Sequence, residues 1–193
     1  MNKNYFLLLV TVIIFQFSCK PKEKEEKEAF FPVLSFIQSQ VANVDTSLYS
    51  IIKLNFVDSA RTDTEFVRRE NFRDLAKDFI EIPDLALSKY KKRFKQLKGY
   101  DETLGRVMLS YLPENPEKEN IQRQEVLISP GPAGDRVNSI YIDYISTTKD
   151  SSLEKKMLWR VDRSFQVTTI KQKPGQPETI TTTKVIWNEP EDQ

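Results

Sequence analysis

The second half of the chain alternates short apolar segments with turn sequences rich in Pro, Gly, Asp and Ser. In one segment Met157, Trp159 and Val161 alternate with charged residues except at Leu158, which predicts a strand with one dry face and one wet face. Short strands with short connections usually pair with their neighbours. The pattern therefore predicts an antiparallel meander of about five to six strands over residues 104–188. The apolar segments are Leu104–Leu112, Ile121–Ser129, Arg136–Thr147, Leu153–Val161, Phe165–Lys171 and Glu178–Trp187.

The first half of the chain shows helical spacing instead. Apolar residues recur every three or four positions from Phe31 to Val41, which predicts an amphipathic helix over residues 32–44. Alternation in Tyr49–Val57 predicts a strand, and a turn-like sequence then leads into a hairpin partner at Thr64–Val67.

A second helix is predicted from Phe72 to Ile80, ending before Pro83. Residues 85–98 fit either a helix or an extended edge segment. We expect a single α+β domain over residues 29–193, in which the helical part, residues 29–98, packs on the dry face of the meander.

The first nineteen residues have the layout of a secretory signal. Lys3 precedes an apolar stretch from Tyr5 to Phe17, and the small residue Ser18 precedes Cys19. This stretch of about 13 residues would span about 20 Å as a helix, which is short of the roughly 30 Å of hydrocarbon in a bilayer. We therefore expect a signal peptide over residues 1–18 rather than a permanent transmembrane helix.

The Ser18-Cys19 junction resembles the cleavage site of bacterial lipoprotein precursors, and the chain as a whole resembles the small outer-membrane lipoproteins of Bacteroidota. The resemblance implies cleavage after Ser18 and a lipid on Cys19, which would attach the protein to the membrane. An ordinary cleaved signal or an uncleaved anchor is the alternative. The signals of Bacteroidota lipoproteins accept residues such as Gln16 and Phe17 at this site.

Residues 20–28 carry eight charged side chains in nine positions and predict a solvated tether after Cys19. In lipoproteins, an Asp directly after the lipidated Cys resembles an inner-membrane retention signal. Here that position is Lys20, so we expect localisation at the outer membrane. Lys24-Glu25-Glu26 has the content of a surface-export signal at a later position, which leaves the periplasmic and cell-surface faces both open.

The composition excludes several kinds of chemistry. The 193 residues include 29 basic and 28 acidic side chains, one Cys and no His. Without His there is neither a Ser-His-Asp triad nor a His-ligated zinc site, and one Cys cannot build an internal disulfide framework. We therefore expect no cofactor, no metal and, given the balanced charge, no nucleic-acid partner.

Three groups of residues are candidates for function. Lys89, Lys91, Lys92, Arg93, Lys95 and Lys98 form a basic cluster that could contact anionic headgroups or simply be solvated. Asp58, Asp63 and Glu65 lack the spacing of a calcium loop, so we assign them to turns and solvent. The aromatic group is expected to pack in the core, with an apolar ligand site on a concave sheet as the alternative; it comprises Tyr111, Tyr141, Tyr144, Trp159, Phe165 and Trp187.

Together these observations predict a lipid-anchored, non-enzymatic protein of the cell envelope that binds a partner protein or a ligand. One alternative is a lipid or lipoprotein carrier with an apolar cavity under the sheet. The other is a hydrolase that uses a carboxylate pair or a Ser-Lys pair.

Overall fold

A computed structural model of the chain describes residues 29–56 and 61–188. These residues form a nine-stranded antiparallel sheet in the order β2-β1-β9-β8-β7-β6-β5-β4-β3. The strands are β1 Ile51–Phe56, β2 Thr62–Val67, β3 Phe94–Asp101, β4 Arg106–Pro113, β5 Ile121–Ser129, β6 Arg136–Thr147, β7 Ser152–Arg160, β8 Ser164–Gln172 and β9 Thr179–Ile186. The strands that the sequence predicts in the second half are therefore present.

Helices are few and mostly short in the described residues. Helix α1 spans Val33–Thr46, close to the predicted helix. The predicted helix from Phe72 to Ile80 is instead two four-residue helices, α2 Phe72–Leu75 and α3 Lys77–Ile80. The backbone leaves helical geometry between them at Ala76, where ψ is 2°. Single-turn 3₁₀ helices lie at Arg69–Asn71 and Pro116–Lys118.

The α+β prediction with a meander of five to six strands is wrong, because the described chain is mainly β. Two pairings enlarge the sheet. The N-terminal hairpin joins the C-terminal strand, with Ile52 opposite Ile186, and the ambiguous residues 85–98 end in strand β3, which pairs with β4. Local periodicity identifies a strand, but it carries no information about a partner more than a hundred residues away.

One face of the sheet, which we call the covered face, packs against the helices. Trp159 and Met157 are buried there, as the alternation predicted, together with Ile37 of α1, Phe72 of α2 and Phe79 of α3. The other face, which we call the open face, carries half-buried and exposed side chains. Met108, Leu127, Ser139 and Arg160 lie side by side on it across four strands.

None of the helices in the described ranges combines the length and the apolar character that a bilayer crossing requires. The predicted signal peptide, the lipidation site at Cys19 and the charged tether all lie outside the described residues.

Candidate functional site

Four arginines meet at one end of the open face. Neighbouring strands run in opposite directions, so the starts of β4 and β6 lie beside the ends of β5 and β7. Arg106 begins β4, Arg136 begins β6, Arg160 ends β7, and Arg163 follows in the turn to β8. They line a groove of about 650 Å³, which we call the arginine groove. The groove is completed by Ser129, Val137, Asn138, Ser139, Val161, Asp162 and Asn188.

The charge of the arginine groove is unbalanced. Asp162 is the one acidic residue among its described lining residues. Within residues 29–56 and 61–188, the guanidinium groups of Arg106, Arg136 and Arg163 make no ion pair. Guanidinium groups stay protonated at every physiological pH, so this end of the sheet is permanently positive.

The backbone holds the groove in place through the turn between β7 and β8. Asp162 has a φ of 58°, a left-handed conformation that lets the chain reverse in few residues. The backbone N–H of Asp162 donates to the side-chain oxygen of Gln40 on α1, at 3.0 Å. The carbonyl oxygen of Arg163 accepts the N–H groups of Trp187 at 3.0 Å and Asn188 at 3.2 Å. The turn that carries Arg163 is thus fixed to both the helix and β9.

The β5–β6 side of the groove is also built from specific contacts. The hydroxyl of Ser129 donates to the side-chain oxygen of Asn138 at 2.7 Å. The carbonyl of Asn138 accepts the N–H of Val161 at 3.0 Å, next to a register irregularity between Leu127 and Ile128 in the β5–β6 pairing. A bulge of this kind changes the direction in which the side chains near a strand end point. Here it affects the side chains beside Arg136.

A second polar cluster on the open face is internally satisfied. The Arg123 side chain donates to Asp143 at 3.0 Å and lies over the ring of Tyr141, 4.9 Å from its centroid. The Tyr141 hydroxyl donates to Asp143, and Ser110 donates to Glu125 at 3.3 Å. Burial of the phenol and its hydrogen bond to Asp143 raise the pKa of Tyr141 to about 12. These partners leave little capacity for a ligand, in contrast to the arginine groove.

The basic cluster predicted from the sequence does not converge on one point. Lys89, Lys91, Lys92 and Arg93 lie in turns, whereas Lys95 and Lys98 lie on β3, three positions apart and therefore on opposite faces. Arg93 makes two hydrogen bonds to Glu119, at 2.5 and 2.6 Å. Arg93 and Lys89 also lie over the ring of Tyr90, at 5.1 and 5.0 Å from its centroid.

The predicted aromatic group divides between the two faces. Tyr111, Trp159, Phe165 and Trp187 are buried, which confirms core packing for these four. Tyr144 is half-buried, and Tyr141 belongs to the open face. These four buried side chains occupy space between the sheet and the helices.

Two of the Ser-Lys pairs that a hydrolase could use lie along strands of the sheet. Ser-x-x-Lys spacing occurs at Ser50–Lys53, Ser88–Lys91, Ser146–Lys149 and Ser152–Lys155. In the first and last of these pairs the lysine lies on a strand, and residues three apart along an extended strand point to opposite faces. Both lysines are held by carboxylates, Lys53 by Glu65 at 3.3 Å and Lys155 by Asp78 at 2.6 Å.

The acidic residues of the first hairpin are also dispersed. Asp58 lies outside the described residues, and Asp63 and Glu65 are exposed on β2. In the described part of the chain, no three His, Cys, Asp or Glu side chains are grouped so that they could hold a metal ion.

The arginine groove was missed at the level of sequence because its residues are spread from Arg106 to Asn188. A signal was present: the predicted strands place Arg136 at the start of one segment and Arg160 near the end of the next, which in a meander is the same edge. Comparison with other proteins adds no lead, since no family model, no curated protein and no solved structure matches this chain.

Proposed function

We propose that the protein is a lipid-anchored, non-enzymatic binding module of the cell envelope that captures an anionic ligand in the arginine groove. The observation that carries this proposal is the convergence of four arginines on one groove, three of them with no carboxylate partner among the described residues. Elsewhere in the described chain, Arg93 and Arg123 have carboxylate partners at 2.5 and 2.9 Å.

The chemistry of the groove fits phosphate or carboxylate groups. A guanidinium presents a planar set of donors that can make two parallel hydrogen bonds to either anion. Ser129, Ser139 and Asn138 add neutral polar groups beside these charges. A volume of about 650 Å³ is typical of sites for small molecules or for one segment of a larger partner.

The packing of the covered face supports a binding module over a lipid carrier. Phe79 and Trp159 meet with ring centroids 5.2 Å apart, in the position where a carrier would leave space for its cargo. The separation of Ser50 from Lys53 and of Ser152 from Lys155 across the sheet argues against these two pairs as a hydrolase site. The lipid anchor at Cys19 is part of the proposal and rests on the lipoprotein-like signal.

The arginine groove can be tested by titrating the full chain, purified in a neutral detergent, with pyrophosphate and with citrate. Replacing two unpaired arginines, Arg136→Gln with Arg163→Gln, should weaken binding by about tenfold or more, because each charge-assisted hydrogen bond contributes about 1.5–3 kcal/mol. Arg73→Gln is the matched control, since Arg73 is an exposed arginine paired with Asp45 at 3.6 Å on a helix away from the groove.

Two outcomes of this titration would count against the arginine groove. Equal loss in the control variant would assign the binding to net charge alone, and no binding by the parent chain would refute the proposal.

The pH dependence of binding gives a second test of the arginine groove. For a phosphate monoester, whose second pKa is about 6, the affinity should rise between about pH 5 and 7.5, whereas the affinity for a fully ionised sulfonate should stay constant.

A further inference from the structure

The edge of the sheet formed by β3 exposes an unusual number of large apolar side chains. Leu97 is 50% exposed and Tyr100 is 61% exposed on the strand itself. The flanking loops add Leu87 at 49% and Leu104 at 55%, and Met108 on β4 is 38% exposed. We call residues 87–108 the β3 edge. Apolar side chains clustered at a surface mark a contact with another phase or molecule.

Cations are interleaved with these apolar residues. Apart from Arg106, which lines the arginine groove, the β3 edge contains six basic residues and two acidic ones, Asp101 and Glu102. One of the six, Arg93, is paired with Glu119. Among the described residues, Lys91, Lys92 and Lys95 make no ion pair. The segment is thus both apolar and positively charged, which differs from the arginine groove with its polar lining.

The position of β3 lets both of its faces contribute to one contact. Within the described chain, β3 pairs with β4 alone and is the last strand of the sheet. Lys95 and Leu97 point to the open face, whereas Lys98 and Tyr100 point to the opposite face. A flat surface that approaches the edge from the side meets side chains from both faces. The dispersal of Lys95 and Lys98 is therefore compatible with a single contact surface.

We propose that the β3 edge rests on an anionic bilayer surface. Leucine and tyrosine side chains can enter the interface between headgroups and acyl chains, while lysine stems lie along the same surface with their ammonium groups at the lipid phosphates. Lysine is depleted from protein–protein interfaces because its desolvation is costly, so a lysine-rich apolar edge fits a headgroup layer better than a protein partner.

The course of the N-terminal chain agrees with this orientation. The ring of Phe30 lies 4.8 Å from that of Tyr111 on β4, and the N–H of Phe31 donates to the Tyr111 hydroxyl at 2.8 Å. The described chain thus begins beside the β3–β4 pair. The ten residues from Cys19 to Glu28 span at most about 33 Å when extended. The lipid at Cys19, which this inference takes from the proposed function, would be joined to the domain on its β3–β4 side.

Tryptophan quenching by brominated-chain lipids tests the orientation in the full chain reconstituted into vesicles. Leu97→Trp and Leu104→Trp report the β3 edge. Phe66→Trp and Ile180→Trp are the controls, because Phe66 and Ile180 are 77% and 58% exposed on β2 and β9, in the half of the sheet away from β3. The native Trp159 and Trp187 are buried and supply a constant background.

We expect brominated anionic vesicles to quench the tryptophans at positions 97 and 104 and to leave those at 66 and 180 unquenched. Lys95→Gln with Lys98→Gln, added to Leu97→Trp, should reduce the quenching, as should high salt. Equal quenching at all four positions, or equal quenching in vesicles of zwitterionic lipid, would overturn the proposal. Neither result bears on anion binding by the arginine groove, which is measured in detergent without vesicles.

Discussion

The indole ring of Trp159 stacks on the phenyl ring of Phe165, with centroids 5.3 Å apart and planes inclined by 14°. The two residues are direct partners in the β7–β8 pairing. Phe79 of α3 meets both rings edge-on, at 5.2 and 5.4 Å from their centroids. At this contact the short helices pack on the sheet. A substitution at Trp159 therefore tests the packing of the core most directly.

Replacing Trp159 with Ala should destabilise the domain strongly. Truncating a fully buried tryptophan typically costs about 3–5 kcal/mol, and the loss of the ring contacts with Phe79 and Phe165 contributes here. With a urea slope of about 1–3 kcal/mol per M, the unfolding midpoint should fall by about 1 M or more. Phe66→Ala, on an exposed strand, should leave the midpoint nearly unchanged. An unchanged midpoint for Trp159→Ala would contradict core packing.

Replacing Asp162 with Gly should strengthen anion binding. The change removes the acidic side chain that lines the arginine groove and keeps the left-handed turn, since Gly adopts a φ near 58° without strain. Removing one nearby like charge should raise the affinity for pyrophosphate by about three- to tenfold. Asp150→Gly, in an exposed loop between β6 and β7, is the control. Unchanged or weaker binding by Asp162→Gly would count against the groove as the anion site.

Tyr141 should make the stability of the protein fall at high pH. Its folded-state pKa is about 12, whereas an unfolded tyrosine has a pKa of about 10. The unfolded state therefore loses this proton first, and the contribution of Tyr141 is complete below about pH 10 and lost as the pH rises to about 12. Between these two pH values, the free energy of unfolding measured with urea should fall more for the parent than for Tyr141→Phe. Tyr100→Phe, at an exposed tyrosine, should behave like the parent; identical profiles for all three would contradict the raised pKa.

Replacing Cys19 with Ala should abolish lipid attachment. The resemblance to lipoprotein precursors predicts that this thiol is the acylation site. We therefore expect the variant to lose labelling by a fatty-acid probe and either to accumulate unprocessed or to leave the detergent fraction. Cys19→Ser is a second variant with the same expectation, because a hydroxyl is not the acceptor in these proteins. Labelling that survives in either variant would rule out Cys19 as the anchor.

The order of short strands along the second half of the chain could be predicted from the sequence. Residues Ile121–Ser129 and Arg136–Thr147 form strands with the predicted bounds, because two-residue alternation and turn chemistry are local properties. The same alternation also assigned Met157 and Trp159 to the covered face. The candidate anchor at Cys19 likewise comes from local sequence.

The size of the sheet and the arginine groove were decided by tertiary structure. Pairing of β1 with β9 joins residues that are far apart in the chain, and its register depends on which faces become buried. The groove gathers Arg106, Arg136 and Arg160 because alternating strand directions bring their strand ends to one edge. The predicted strand bounds place Arg136 and Arg160 at one edge, but they do not show that these arginines line a groove, since each of them alone resembles an ordinary solvated side chain at a strand end.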